Sequence, residues 1–106
     1  MNISSRIKLP IPLNTEKINN FCQRHRIRKL YLFGSILRED FRENSDVDFL
    51  VVFEPDSAPG YIRLAGIELE LSEIIKRKAD LRTSAELSRY FRNQVEQEAL
   101  IIYDQN

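Results

Sequence analysis

Cysteine is almost missing from this 106-residue sequence. A single thiol, Cys22, excludes an internal disulfide and a cysteine-based zinc site. It suits a reducing compartment, so a cytoplasmic location is expected. With three Gly and four Pro, the chain has no collagen-like or low-complexity segment. No linker rich in Gly, Pro or Ser divides it, and no internal repeat is visible. Long apolar runs are absent too: none exceeds five residues, as in 49–53, far too short for a membrane span or a signal-peptide core. Hydrophobic residues nevertheless reach 42%, which excludes a disordered chain. A chain of this length closes over one core and not two. One domain over residues 1–106 is therefore expected, with residues 1–12, which carry Pro10 and Pro12, as an extended lead-in.

There is no excess of either charge, since sixteen Lys and Arg balance sixteen Asp and Glu. A globally basic nucleic-acid binder is excluded on that ground, and direct nucleic-acid binding is not expected. The charges are unevenly placed. Residues 1–29 hold seven basic side chains against one acid, Glu16, whereas residues 34–48 hold two Arg and five acids. The acidic stretch is either solvated surface or a pocket that needs a cation. The basic stretch, residues 24–29, reads first as a helix C-terminus, where the dipole favours cations, and second as a contact for an acidic partner or RNA. His25 within it is assigned no catalytic role.

Apolar spacing supplies the elements. Asn14 or Thr15 caps a helix of about three turns, with Ile18, Phe21 and Cys22 on one face. Residues 30–33 form a short buried strand ended by Gly34, and Ser35 then caps a short helix to about Phe41. Asn44 and Ser45 mark a turn. Residues 47–53, rich in β-branched and aromatic side chains, are the strongest strand signal. Leu64, Ile67, Leu71, Ile74 and Ile75 give a helix over about residues 60–77. Residues 79–81 form a further strand. Thr83 and Glu86 match a capping box before a helix whose apolar face holds Leu87, Tyr90, Phe91 and Val95. Residues 100–103 close the series as a strand. This alternation predicts an α/β (α+β) fold, a small mixed sheet flanked by helices. The helix over 60–77 is long enough to set the strands on either side of it parallel.

Three features carry chemistry. Gly34-Ser35 follows a buried strand, where a glycine lets the backbone approach a ligand and a helix N-terminus would face phosphate; a plain turn is the alternative. Asp46-Val47-Asp48 opens the most hydrophobic strand, and residues two apart on a strand share a face. Both carboxylates then project together, with Val47, Phe49 and Val51 turned to the core. Two like charges so placed repel unless a cation sits between them, and hard oxygens suit Mg²⁺. Asp80, in the strand after the crossover helix, reaches the same place if the two strands are neighbours; otherwise it is a surface acid.

Gly34-Ser35, ten residues, and Asp46-x-Asp48 running into Phe-Leu-Val-Val-Phe resemble the signature of the polymerase-β-like nucleotidyltransferases. Arg38 three residues after Ser35, Ser45 before the first acid, and Lys78-Ala79-Asp80-Leu81 resemble the minimal nucleotidyltransferases, antitoxin partners of HEPN-domain toxins. The resemblance covers most of the chain, from Ile18 to Tyr103. It implies that Gly34 and Ser35 hold the nucleotide's phosphates, that Asp46 and Asp48 ligate two Mg²⁺ ions, and that Asp80 is the third metal-binding carboxylate, all three acids being catalytic. Arg38 is a further nucleotide-binding candidate, with a salt bridge to Asp40, Glu39 or a later acid as the alternative. Leu37 and Glu39 depart from the pattern, which has smaller residues there. The implied activity is transfer of AMP from ATP to a hydroxyl, a tyrosine's by resemblance, of a HEPN ribonuclease toxin in a toxin–antitoxin pair. With no room in the sequence for a substrate-recognition domain, the acceptor is expected to be a macromolecule bringing its own binding surface. Alternatives are an antitoxin that acts by binding alone, and transfer to a small molecule or RNA.

Overall fold

The computed structural model describes residues 9–38, 41–83, 93, 95 and 97–105. Helix α1 spans Thr15–Arg24. Asn14 is its cap, the side-chain oxygen accepting from the Lys17 N–H at 3.0 Å and satisfying one of the free donors of the first turn. Strand β1, Ile27–Phe33, begins three residues earlier than its aromatic run suggests. Arg26 in the left-handed region (φ 54) turns the chain straight out of α1, and the fully buried Ile27 anchors the strand's first residue.

Strand β2 occupies Val47–Phe53 and helix α2 Tyr61–Ile75. The helix stops short of residue 77 because Lys76 adopts a left-handed conformation (φ 60) at its end. Strands β3, Ala79–Thr83, and β4, Leu100–Asp104, complete a four-stranded sheet in the order β3-β2-β1-β4. The mixed sheet expected from the sequence is present: β1 is antiparallel to β2 and β4, while β2 and β3, joined through α2, are parallel. Of the expected capping box, Thr83 ends β3 and Glu86 lies outside the described residues, as do Leu87, Tyr90 and Phe91. Val95 from that apolar face is helical and buried. Of the expected lead-in, residues 1–8 lie outside the described residues, while Leu9 and Ile11 pack against the core.

Strand alternation divides the sheet into two unlike faces. Leu30 and Leu32 of β1, Val47, Phe49 and Val51 of β2, and Ala79 and Leu81 of β3 form one core with α1 and α2. Burying a large apolar side chain such as Phe21 or Phe49 contributes roughly 1.5–3 kcal/mol, so this layer carries most of the stability. Burial also pushes the Cys22 thiol up to about 12, which keeps it unreactive. The opposite face holds a smaller cluster of Phe33, Leu50 and Val95, and beside it Asp48 and Asp80. The free edge of β3 is closed by α2. Ser72 Oγ accepts from the Ala79 N–H at 2.9 Å, and the Glu68 carboxylate accepts from the Leu81 N–H at 2.7 Å, which blocks pairing with another strand. Among the described residues no helix is long and apolar enough to cross a membrane.

The basic stretch at the end of α1 has a structural partner. Arg24 and His25 both bond Glu70 of α2, His25 Nε2 at 2.9 Å, and the Phe21 ring meets the imidazole edge-on. Partial burial pushes the Glu70 carboxyl up, but hydrogen bonds from Arg24 and His25 outweigh it and hold the group below its ordinary value of 4.5. A lowered carboxyl stabilises the fold above its unfolded value and loses that contribution as pH falls through the folded one. Glu70→Gln should therefore destabilise the fold slightly at pH 7, by less than about 1 kcal/mol for so exposed a cluster, and lower the melting temperature accordingly. Thermal melts of the two proteins should converge below pH 4.5.

Candidate active site

Backbone register brings two of the three sequence-predicted acids together. Asp48 and Asp80 are direct partners across the parallel β2–β3 pair, so their side chains leave the sheet on the same face. Asp46 lies two residues before Asp48, at the mouth of β2. The Val47 N–H donates to the Lys78 carbonyl at 2.9 Å and ties the entries of the two strands together. The loop before Asp46 is pinned as well. Arg77 donates to the Arg42 carbonyl at 3.1 Å and to that of Glu43, and its guanidinium lies 4.7 Å from the centre of the Phe41 ring. The Ser45 side chain closes the expected turn by accepting from the Arg42 N–H at 3.0 Å.

Gly34 borders this group of acids from β1. Phe33 pairs with Asp48, so the chain reverses beside that carboxylate, and Gly34 does so with φ +82, in the left-handed region. A Cβ at this position would lie 3.1 Å from the Asp48 carboxyl carbon and closer still to its Oδ2. No side chain fits, and the main chain of residue 34 stands against Asp48.

The expected helix after Gly34 is corrected by the structure. Residues Gly34–Leu37 make a single 3₁₀ turn, and Ser35 is inside it rather than at its cap; the side chain of the cap residue, Phe33, makes no capping bond. The turn ends early because Ile36 is buried and Leu37 packs against the same core, which pulls the chain inward. Arg38 then runs extended, its N–H bonded to the Ser35 carbonyl at 2.9 Å. A turn this short does not offer the dipole of a full helix, so any phosphate contact here comes from individual N–H groups of the bend. Leu37, bulkier than the family pattern, is accommodated half-buried against the core. Glu39 and Asp40 lie outside the described residues.

Electrostatics identify Asp48 as the centre. Burial pushes its carboxyl above the ordinary 3.8; Asp80 and Asp46 push it further the same way, and Arg82 and Arg38 push it back. Two cations stand close by: Arg82, which sequence reasoning passed over, and Lys78, which it noted only within the resemblance. Arg82 donates to both oxygens of Asp80, Nε at 3.1 Å and a terminal nitrogen at 3.3 Å. Lys78 Nζ lies 3.8 Å from Asp46. The signal for Arg82 was its spacing, two residues after Asp80 on one strand. The described residues contain no group of three or more Asp, Glu, His or Cys side chains gathered closely enough to hold a metal ion. The donor types suit a hard divalent cation: Asp48 and Asp80 paired on one face of the sheet, with Asp46 two residues before Asp48 at the mouth of β2.

Residues 16–106 match the family described as "Polymerase beta, Nucleotidyltransferase". The chain belongs to that family. A Methanocaldococcus jannaschii protein named as a protein adenylyltransferase is 29% identical over 82 residues, 76% of this chain and 81% of its own. A solved structure of a minimal nucleotidyltransferase is 31% identical, with a TM-score of 0.68 over 81% of this chain and 86% of its own. Two more distant structures share the fold. One is a toxin–antitoxin complex with AMP-PNP, at 22% identity and TM-score 0.72 over 89% of this chain and 76% of its own. The other is a tri-AMPylated Shewanella oneidensis HEPN toxin with its MNT antitoxin, at 19% identity and TM-score 0.64 over 86% of this chain and 70% of its own. This nucleotidyltransferase also has an apolar cavity of about 620 Å³ at the far end of β2, lined by Val51, Phe53, Pro59, Tyr61, Leu64 and Thr83. It contains none of the site acids.

Proposed function

We propose that this chain transfers AMP from ATP to a hydroxyl, that of a tyrosine, on a HEPN ribonuclease toxin, and so serves as the antitoxin of a cytoplasmic toxin–antitoxin pair. The observation that carries the reading is the register pairing of Asp48 with Asp80 beside the Gly34 bend. The fold-sharing complex of an AMPylated HEPN toxin with its antitoxin supports the choice of acceptor. Residues 1–106 act as one domain in this scheme.

Asp46 and Asp48 would hold two Mg²⁺ ions, with Asp80 as third ligand. When bound, the ions neutralise the triphosphate and stabilise the attacking and leaving oxygens of the displacement. The protein's own groups do the rest. The narrow bend at Gly34-Ser35 admits the β- and γ-phosphates to backbone N–H groups. Arg38, extended beyond that bend and already acting on Asp48, adds a positive charge for the polyphosphate. Asp80 orients the acceptor hydroxyl and takes its proton. The acceptor oxygen bonds to the α-phosphorus, the bond to the bridging oxygen breaks, and pyrophosphate leaves. Positioning and charge neutralisation suffice for such a transfer, which is why a small scaffold can perform it.

The test is incubation of the protein with labelled ATP, Mg²⁺ and its cognate HEPN toxin. The toxin should gain the mass of AMP on a tyrosine and lose ribonuclease activity. Neutralisation without an adduct would favour inhibition by binding alone, and label on RNA or a small alcohol would name a different acceptor.

A further inference from the structure

Arg82 has no part in the mechanism above, yet it occupies one of its three acids. It follows Asp80 by two residues on β3, so both side chains leave the strand on the same face. Its fork bonds both Asp80 oxygens, the geometry that a guanidinium offers a carboxylate or a phosphate alike. In register it stands opposite Leu50, the next residue on the site face after Asp48, and it draws the Asp48 carboxyl downward against burial and the other acids. A guanidinium keeps its proton at every working pH, so Asp80 is released only when the arginine moves. The Arg82 side chain is 48% exposed. What enters with a divalent cation is an anionic polyphosphate, the other ligand that a guanidinium fork fits.

We infer that Arg82 is a resident counter-cation and a nucleotide-positioning residue: it holds Asp80 while the acids lack a divalent ion, and it passes to the nucleotide's phosphates when an ion takes that carboxylate. The inference rests on the reading of Asp46, Asp48 and Asp80 as the metal-binding acids. It predicts opposite effects on the two ligands of one site, which a merely structural salt bridge would not produce.

The experiment measures Mn²⁺ alone binding to metal-free protein by calorimetry, and separately KM and kcat for ATP in toxin modification. Wild type, Arg82→Gln, Arg82→Lys and Asp48→Asn are compared. Arg82→Gln should bind Mn²⁺ about three- to tenfold more tightly, as removal of a half-exposed competing ion pair implies. Its KM for ATP should rise about tenfold with a smaller change in kcat, as expected when a phosphate contact is lost. Arg82→Lys should fall between on both scales. Equal Mn²⁺ affinity in wild type and Arg82→Gln, with Asp48→Asn binding none, would overturn the counter-cation role and leave the metal-site reading standing. Tighter Mn²⁺ with unchanged KM would overturn the role toward the nucleotide. Absence of Mn²⁺ binding in every protein would overturn this inference together with the reading beneath it.

Discussion

Asp48→Asn should abolish AMP transfer to the toxin, by about a thousandfold or more, while leaving the protein folded and somewhat more stable. Asp48 is the most constrained acid of the site, half-buried, register-paired with Asp80 and pressed against the Gly34 main chain. Losing one preorganised charge-stabilising group commonly costs 10²–10³ in rate, and here the lost group would also hold the ions. The stability effect has the opposite sign. A carboxyl raised in the folded state contributes stability that is present below its unfolded value and lost as pH rises through the folded one. At neutral pH, without metal, ionised Asp48 is therefore a burden that its amide removes. Melting in metal-free buffer should show Asp48→Asn a few degrees above wild type at pH 7, with the gain gone below the ordinary value of 3.8. A variant that melts lower than wild type at pH 7 would mean that Asp48 is a structural acid.

Gly34→Ala should be the most damaging single-methyl change in the molecule. Two penalties coincide at this position. The backbone sits at φ +82, where a side chain costs about 1–2 kcal/mol, and the new methyl collides with the Asp48 carboxylate. The cheapest relief is rotation of Asp48 away from Gly34, which dismantles the site even where the fold survives. Transfer should fall at least about a hundredfold, the cost of an ångström of misplacement in a reacting centre. The melting temperature should drop by several degrees. Transfer assays beside thermal melts separate the two losses. Ala at Gly66, whose Cβ would meet nothing within 4 Å, serves as the control and should keep full activity.

These effects depend on how the chain returns to the same place three times, and that return was only partly legible in the sequence. The β2 limits were readable because Val47, Phe49 and Val51 alternate with Asp48 and Leu50 in a run of strand-forming residues, and the strand falls at Val47–Phe53. The length of α2 made a parallel neighbour readable, and with it the approach of Asp80. The register was not readable: that Asp80 meets Asp48 rather than Leu50 is set by the packing of α2 and by the Val47–Lys78 hydrogen bond, interactions between segments some thirty residues apart. The turn after Gly34 was misread for a local reason. Ser35 has the chemistry of a cap, but the burial of Ile36 and the packing of Leu37 against the core override it and leave one 3₁₀ turn. Arg77 and Arg82 were not singled out from the sequence, and Lys78 only within the resemblance, because a positioning cation shows itself by its partner and the partners are distant in the chain or across a strand's pleat.

A crystal structure of the protein with Mn²⁺ and a non-hydrolysable ATP analogue tests the central claim most directly. Anomalous density for Mn²⁺ within ligand distance of Asp46, Asp48 and Asp80, with the triphosphate lying along the Gly34-Ser35 bend, is the predicted result. Nucleotide seated elsewhere, such as in the apolar cavity at the far end of β2, or manganese that avoids Asp48, would contradict it.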